Sequence, residues 1–397
     1  MFSSLSVRNF RIYWFGMLVS LIGTWIQQIA QSWLIFELTN SPFLLGVVGF
    51  LNTIPVFILA LFGGVLADRL NKKSILIITQ IAFMILAFIL AILSQLKIIT
   101  SSQIMIIAVL NGIIMAFDAP ARQSVVAELV GKAHLPNAIA LNSVAFNSSR
   151  VIGPAIAAIF VSTIGLSGCF YINGVSFLAV ILALLSINIK QKISISNNSP
   201  LKDLLEGLKF VMENRLILSL ISMVAVVSLF GVAHIILMPV FANDVLKVGI
   251  KGLGFLMSSA GIGALIGALI LARLGNFKYK GKLLSISILI FAVALIFFAL
   301  SKSYPFSLIA LFFIGASSVQ AVALVNTILQ TSIEDRFRGR VMSVFMITFA
   351  GMMPFGNFFA GLLASKFGVS FAVMTGGIVC ALFFIIINVF YPKIRQI

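Results

Sequence analysis

Charge is absent from most of this chain in a regular rhythm. Uncharged or nearly uncharged stretches cover residues 12–36, 42–66, 75–96, 102–126, 137–163, 168–188, 216–242, 252–272, 283–301, 304–332, 341–365 and 369–391. Each is long enough to cross a bilayer as a helix, which takes roughly 20 apolar residues. Only helices and closed barrels satisfy every backbone group inside lipid, and runs of this length exclude the short alternating strands of a barrel. Only 9% of the 397 residues are charged, against about a quarter in soluble domains. The expected fold is therefore an all-α membrane protein of twelve transmembrane helices, with little chain left over for a soluble domain. The first stretch is about twice the length of a signal-peptide h-region and reads as a retained span. Cys169 and Cys380 lie inside long apolar runs, as small packing residues rather than a disulfide framework.

The net charge of +17 would suggest nucleic acid in a soluble protein; its placement excludes that reading. With the N-terminus inside, the cytoplasmic segments hold 20 of the 27 basic residues and the opposite side holds five, Lys97, Lys247, Lys251, Lys302 and Lys366. Arg122 and Arg150, within spans, complete the count. This asymmetry expects both termini in the cytoplasm.

One connection is long, Asn188 to Asn214, and it divides the spans six and six. The expected organisation is a bundle over 1–188, a cytoplasmic linker over 189–214 and a bundle over 215–397. After Ser199 and Pro200 the linker places Leu201, Leu204, Leu205, Leu208 and Met212 on one stripe. That is an N-capped amphipathic helix, read as lying on the membrane surface, with a protein surface as the alternative. The halves are weakly related: a shift of 200 aligns Ser143 and Pro154 with Ser343 and Pro354, and a shift of 208 aligns Gly46 with Gly254. Parallel six-plus-six repeats are used by a large class of secondary transporters.

Ionisable groups inside spans are costly and face a cavity or a partner. Four occur here: Asp118, Arg122, Arg150 and His234. Asp118 and Arg122 stand one turn apart, so Asp118 reads either as a structural ion-pair member or as a proton-coupling carboxylate. Arg150 sits about 20 Å into span 5, as a contact for substrate or a carboxylate, or as a guanidinium satisfied by backbone carbonyls. His234 reads as a proton relay or as a hydrogen-bonded packing residue. Amides add a second layer: Gln27 and Gln31 share a face of span 1, Asn111 and Asp118 one of span 4, and Asn326 and Gln330 one of span 10. Gly153 and Pro154, followed by Ala157 and Ala158, mark a helix bend with close packing in span 5.

The connection after span 2, Gly64-Val-Leu-Ala-Asp68-Arg69-Leu-Asn71-Lys72-Lys73, resembles the signature loop of the major facilitator superfamily, with Asn71 where a glycine is usual. The resemblance implies gating roles: Asp68 and Arg69 near the start of span 11 at Gly339 and Arg340, and Lys72 paired with Glu128. It also implies that spans 1, 4, 7 and 10, with the amides named above, line the pathway. A narrower resemblance rests on Asn9-Phe-Arg-Ile-Tyr-Trp, on Trp33 to Pro42, on Phe117-Asp-Ala-Pro-Ala-Arg-Gln, on Asn137 to Asn142 and on Arg150-Val-Ile-Gly-Pro. Together these are similar to the enterobactin-exporter-like branch, also described as transmembrane secretion effectors. That likeness implies a proton-coupled exporter of a siderophore or other small amphipathic molecule, working as a monomer in a bacterial cytoplasmic membrane without a cofactor. Multidrug or macrolide efflux, lipid flipping and a passive channel are the alternatives.

Enzyme chemistry lacks its residues. The two histidines, His134 and His234, lie far apart in sequence, and no Cys or carboxylate cluster has metal-ligand or triad spacing. Gly275 to Leu283 imitates a phosphate-binding loop but has five intervening residues and leucine where Ser or Thr must reach magnesium. The driving force is therefore an ion gradient or the substrate's own.

Overall fold

A computed structural model describes residues 3–188, 200–275, 277–391 and 394; Lys190, Lys192, Ser199, Lys393 and Arg395 lie outside that set. The described residues are almost wholly helical. After a 3-10 turn at Ser3–Ser6 come span 1 (Arg8–Thr39), span 2 (Pro42–Arg69) and span 3 (Lys72–Gln95). A single helical run, Ser101–Ser186, then holds spans 4, 5 and 6, which part at two glycines in the left-handed region, Gly131 (φ 66°) and Gly165 (φ 73°). Any other residue would be strained at such angles, so one glycine does the work of a loop. The linker helix is Pro200–Glu213, and spans 8 to 12 are Gly249–Leu274, Lys280–Leu300, Tyr304–Ser332, Asp335–Phe367 and Val369–Phe390.

Span 7 is the irregular one. From Arg215–Val226 it passes through a π turn at Val227–Gly231, a 3-10 segment at Val232–Leu237 and a second π turn at Phe241–Val245. Pro239 lacks the amide hydrogen that a regular ladder needs, and such wide and tight turns recur at functional positions. With this span the twelve expected transmembrane helices are all present among the described residues.

The chain divides into two compact units. One gathers residues from Met1–Asn40, Leu51–Asn197 and Ile250–Ser258, the other from Ser41–Phe50, Asn198–Gly249 and Ser259–Ile397. In the first, a core of Phe10, Tyr13, Leu76, Ala121, Val125, Leu141 and Leu184 joins spans 1, 3, 4, 5 and 6. The early turns of span 8 also belong to it: Ser258 Oγ donates to the Val151 carbonyl at 2.8 Å. Gly153 and Pro154 keep helical backbone angles, since the only departures in that run are Gly131 and Gly165. The missing side chain at Gly153 instead makes room for Trp25 of span 1.

In the second unit, Ile217, Leu220, Leu284, Leu324, Ile328, Val341 and Phe345 form the core, and Val211 brings the linker helix into it. The first turns of span 2 pack here, with Phe43 and Phe50 against Phe358 at ring separations of 5.8 Å.

Candidate functional site

Within the first unit the strongest polar arrangement surrounds Asp118, whose side chain is 1% exposed. Its Oδ1 accepts hydrogen bonds from Thr79 Oγ1 and Gln80 Nε2, each at 2.8 Å. Its Oδ2 accepts from Arg122 Nε at 3.0 Å and Nη2 at 2.6 Å. Both oxygens are thus doubly occupied, and the guanidinium holds one of them through a two-bond, charge-assisted contact. Thr79 and Gln80 were not among the residues singled out in the sequence. Their signal was nevertheless there: between Ser74 and Ser94 they are the only polar residues of span 3. Tyr13 of span 1 lies close enough for its hydroxyl to feel both charges. That hydroxyl and Gln80 Oε1 are buried without a hydrogen-bond partner among the described residues.

Arg150 is half-buried in span 5 and, unlike Arg122, makes no hydrogen bond or ion pair among the described residues. The buried Gln27 accepts from Asn173 Nδ2 of span 6 at 2.7 Å, which ties spans 1 and 6. Gln31 and Asn111 are half-buried. In span 10 Gln330 Nε2 donates to Asn326 Oδ1 at 2.6 Å. His234 lies in the 3-10 segment of span 7, with Nδ1 2.7 Å from the Gly231 carbonyl, so its ring completes the backbone bonding of an irregular turn.

At the ends of spans 2, 3 and 4, Lys72 pairs with Glu128 as the resemblance implied. Asn71 adopts an extended conformation (φ −67°) and caps span 3, accepting from the Ser74 amide at 3.2 Å. No left-handed residue is needed at this position, which is why asparagine replaces the usual glycine without strain. Lys73 Nζ donates to the Ile187 carbonyl at 2.8 Å, so it satisfies the end of span 6. Asp68 and Arg69 belong to the last turn of span 2, where Arg69 is exposed; the Asp68 side chain lies outside the described set.

Arg340 opens span 11, and its Nη1 lies 2.9 Å from Glu206 Oε2 of the linker helix. Two further contacts secure that helix. Phe210 stacks on Phe337 at 4.3 Å, and Gly207 faces the Arg340 carbonyl so closely that a Cβ would lie 2.7 Å from it. The surface-lying helix expected from the sequence is thus docked on protein along one side, while Leu205, Leu208 and Met212 stay exposed along another.

Comparison with known proteins agrees with this architecture. The family model of transmembrane secretion effectors matches residues 1–396. The staphyloferrin A transporter of Staphylococcus aureus is 28% identical over 367 residues, covering 90% of this chain and 91% of that one. The multidrug efflux pump Tap of Mycolicibacterium fortuitum is 23% identical over 394 residues, covering 96% and 95%. A crystal structure of a mutant of the peptide transporter POT superposes with a TM-score of 0.79 at 11% identity, over 98% of this chain and 95% of that one. That likeness concerns the fold. The chain is a multi-pass membrane protein, a secondary transporter of small molecules and not an enzyme, and it belongs to the transmembrane secretion effector family of the major facilitator superfamily.

Proposed function

We propose that this transporter exports an anionic or neutral amphipathic chelator of the siderophore type in exchange for protons. It works as a monomer in the bacterial cytoplasmic membrane, with both termini on the cytoplasmic side and helical bundles over 1–188 and 215–397 joined by the 189–214 linker. The observation that carries this reading is the contrast between the two membrane arginines. Arg122 is neutralised by Asp118; Arg150 has no anionic partner among the described residues, and a guanidinium left so inside a membrane is expensive unless it meets a ligand. A bidentate fork suits carboxylate, catecholate and hydroxamate oxygens. The relative named for staphyloferrin A supports the same chemistry. A lipophilic cation would need an accessible membrane carboxylate, and Asp118 is enclosed by four donors.

Proton exchange then works by competition at Arg122, whose side chain is 23% exposed and thus reachable. A bound anion draws the guanidinium away from Asp118 Oδ2, and the carboxylate, without its strongest partner, serves as the proton site. Release of the anion restores the pair and expels the proton. His234 shares in proton handling. Gln27, Gln31, Asn111, Asn326 and Gln330 line the substrate cavity, and Asp68, Arg69, Lys72, Glu128 and Arg340 gate it. Transport of a citrate-based siderophore into everted vesicles tests the assignment. Arg150→Ala is expected to raise KM tenfold or more and Arg150→Lys to restore part of it. Unchanged KM in Arg150→Ala overturns the anion site, and an Asp118→Asn variant with unaltered pH dependence overturns the coupling.

A further inference from the structure

The near-miss phosphate loop of the sequence borders a crevice between spans 8 and 10. Spans 8 and 10 are pressed together over their middle turns: a Cβ at Gly263 would strike the Phe312 carbonyl, and one at Gly315 the Ala260 carbonyl. A polar bridge between them, Gln320 Nε2 to the Gly267 carbonyl at 3.4 Å, follows these turns. One turn further along, a crevice of about 280 Å³ opens between Ala268 and Leu271 of span 8 and Leu324 and Thr327 of span 10, with Phe277 and Lys280 at its rim. Its floor is apolar and its rim is cationic. Residues 273–282 carry Arg273, Lys278, Lys280 and Lys282 and no acid. Lys282 is braced over the Tyr279 ring, 4.7 Å from its centroid. Span 9 also begins here with no side-chain cap on its first amides, so the helix dipole adds to the positive field.

We propose that this crevice is a binding site for an anionic phospholipid, with the headgroup phosphate on the Lys280 rim and part of an acyl chain on the Leu271 and Leu324 floor. Drug-sized ligands occupy pockets of about 300–1,000 Å³; a crevice of about 280 Å³ lies at the small end of that range, a size that suits part of an acyl chain. Thr327 and Ala272 are exposed, so the crevice has an open mouth through which a lipid can enter. Basic pockets between transmembrane helices are a recurring means of holding anionic headgroups. Assignment to the inner leaflet rests on the cytoplasmic orientation proposed above, because eight spans precede this loop; the binding chemistry does not.

Purified full-length protein incubated with phosphatidylglycerol or phosphatidylcholine of identical chains, then analysed by native mass spectrometry, tests the site. Parent protein is expected to retain phosphatidylglycerol preferentially. Lys280→Ala should reduce that preference about fivefold, the effect of one basic side chain near an anionic headgroup. Thr327→Trp, at an exposed position that leaves folding intact, should block the mouth and abolish retention, while Lys366→Ala, far from the loop in sequence, should retain lipid as the parent does. Equal retention of both lipids by the parent overturns the proposal. So does parental retention in both Lys280→Ala and Thr327→Trp. Labelling of Lys278→Cys by an impermeant reagent from outside the cell would overturn the orientation while leaving the lipid preference in place, so the two failures are distinguishable.

Discussion

The two units share a way of packing helices and differ in what lies at their centres. Both use glycines to bring backbones together, as at Gly63 against the Ala116 carbonyl in the first and Gly315 against the Ala260 carbonyl in the second. The first unit adds a buried carboxylate with four donors and a second ion pair at Lys72 and Glu128. Among the described residues of the second, a counterpart is the more exposed Glu206–Arg340 pair, and the span interiors hold a histidine bonded to backbone and tilted aromatics such as Phe241 and Phe298, 4.5 Å apart. The difference teaches where each unit is vulnerable. Apolar cores lose stability in proportion to atoms removed, whereas a buried charge network fails when one member leaves, because the others remain desolvated and unpaired.

The largest expected effect follows from that asymmetry. Asp118→Ala strands Arg122 and removes the acceptor of Thr79 and Gln80, and should destabilise the protein by about 3 kcal/mol or more. Replacing the pair together, Asp118→Leu with Arg122→Leu, should recover most of that loss. In the second unit His234→Leu removes a side-chain bond to backbone and should cost about 1–2 kcal/mol. Thermal unfolding in detergent measures all three variants. A His234→Leu loss equal to that of Asp118→Ala would erase the contrast, and a double variant no better than the single would show that the charges do not act as a pair.

Next in size is the pair at the ends of spans 3 and 4. Lys72 and Glu128 have side chains 9% and 14% exposed, and Glu128 Oε2 has no partner among the described residues. Loss of a hydrogen bond to a charged group in such a setting is worth about 1.5–3 kcal/mol, so Glu128→Ala should fall clearly below Asp118→Ala yet above any variant of the more exposed pair. A Glu128→Ala protein that unfolds at the parental temperature would break that order.

The fold was legible because membrane insertion writes itself into composition: a twenty-residue gap in charge has few other readings, and the basic residues mark the connections. What stayed hidden depends on single atoms. The break between the runs 137–163 and 168–188 placed Gly165 in a connection, yet nothing around it shows that one left-handed glycine makes the whole turn, and Gly153, read with Pro154 as a bend, keeps helical angles and serves packing. The Asp118–Arg122 pair was legible from helical spacing, whereas Thr79 and Gln80 were not, because their partner is 38 or more residues away and only tertiary packing brings them together. Asn71 shows the converse. Its departure from the usual glycine looks like a defect in a motif, yet the residue caps span 3. Asn71→Ala should therefore cost about 1 kcal/mol and Asn71→Gly only a few tenths, a small difference that unfolding of the two variants in parallel resolves.

The smallest effect is expected at the linker helix, where the ion pair contributes least of three contacts. Glu206 and Arg340 have side chains 41% and 27% exposed, so water and salt screen their attraction, and such pairs contribute under about 1 kcal/mol. Phe210 stacked on Phe337 excludes water from both ring faces and should contribute about 0.5–1.5 kcal/mol beyond area burial. The fit of Gly207 against the Arg340 carbonyl admits no side chain at all. Glu206→Gln should leave the helix docked, whereas Gly207→Val forces it away from span 11 because a Cβ cannot share the space of a backbone oxygen. A spin label at exposed Lys209 and another at exposed Arg336 report that distance. It should be parental in Glu206→Gln at both low and high salt, and lengthened in Gly207→Val. A Glu206→Gln helix that detaches as far as the Gly207→Val one would mean that charge, and not fit, holds the linker, and the second unit would then depend on ionic contacts as much as the first.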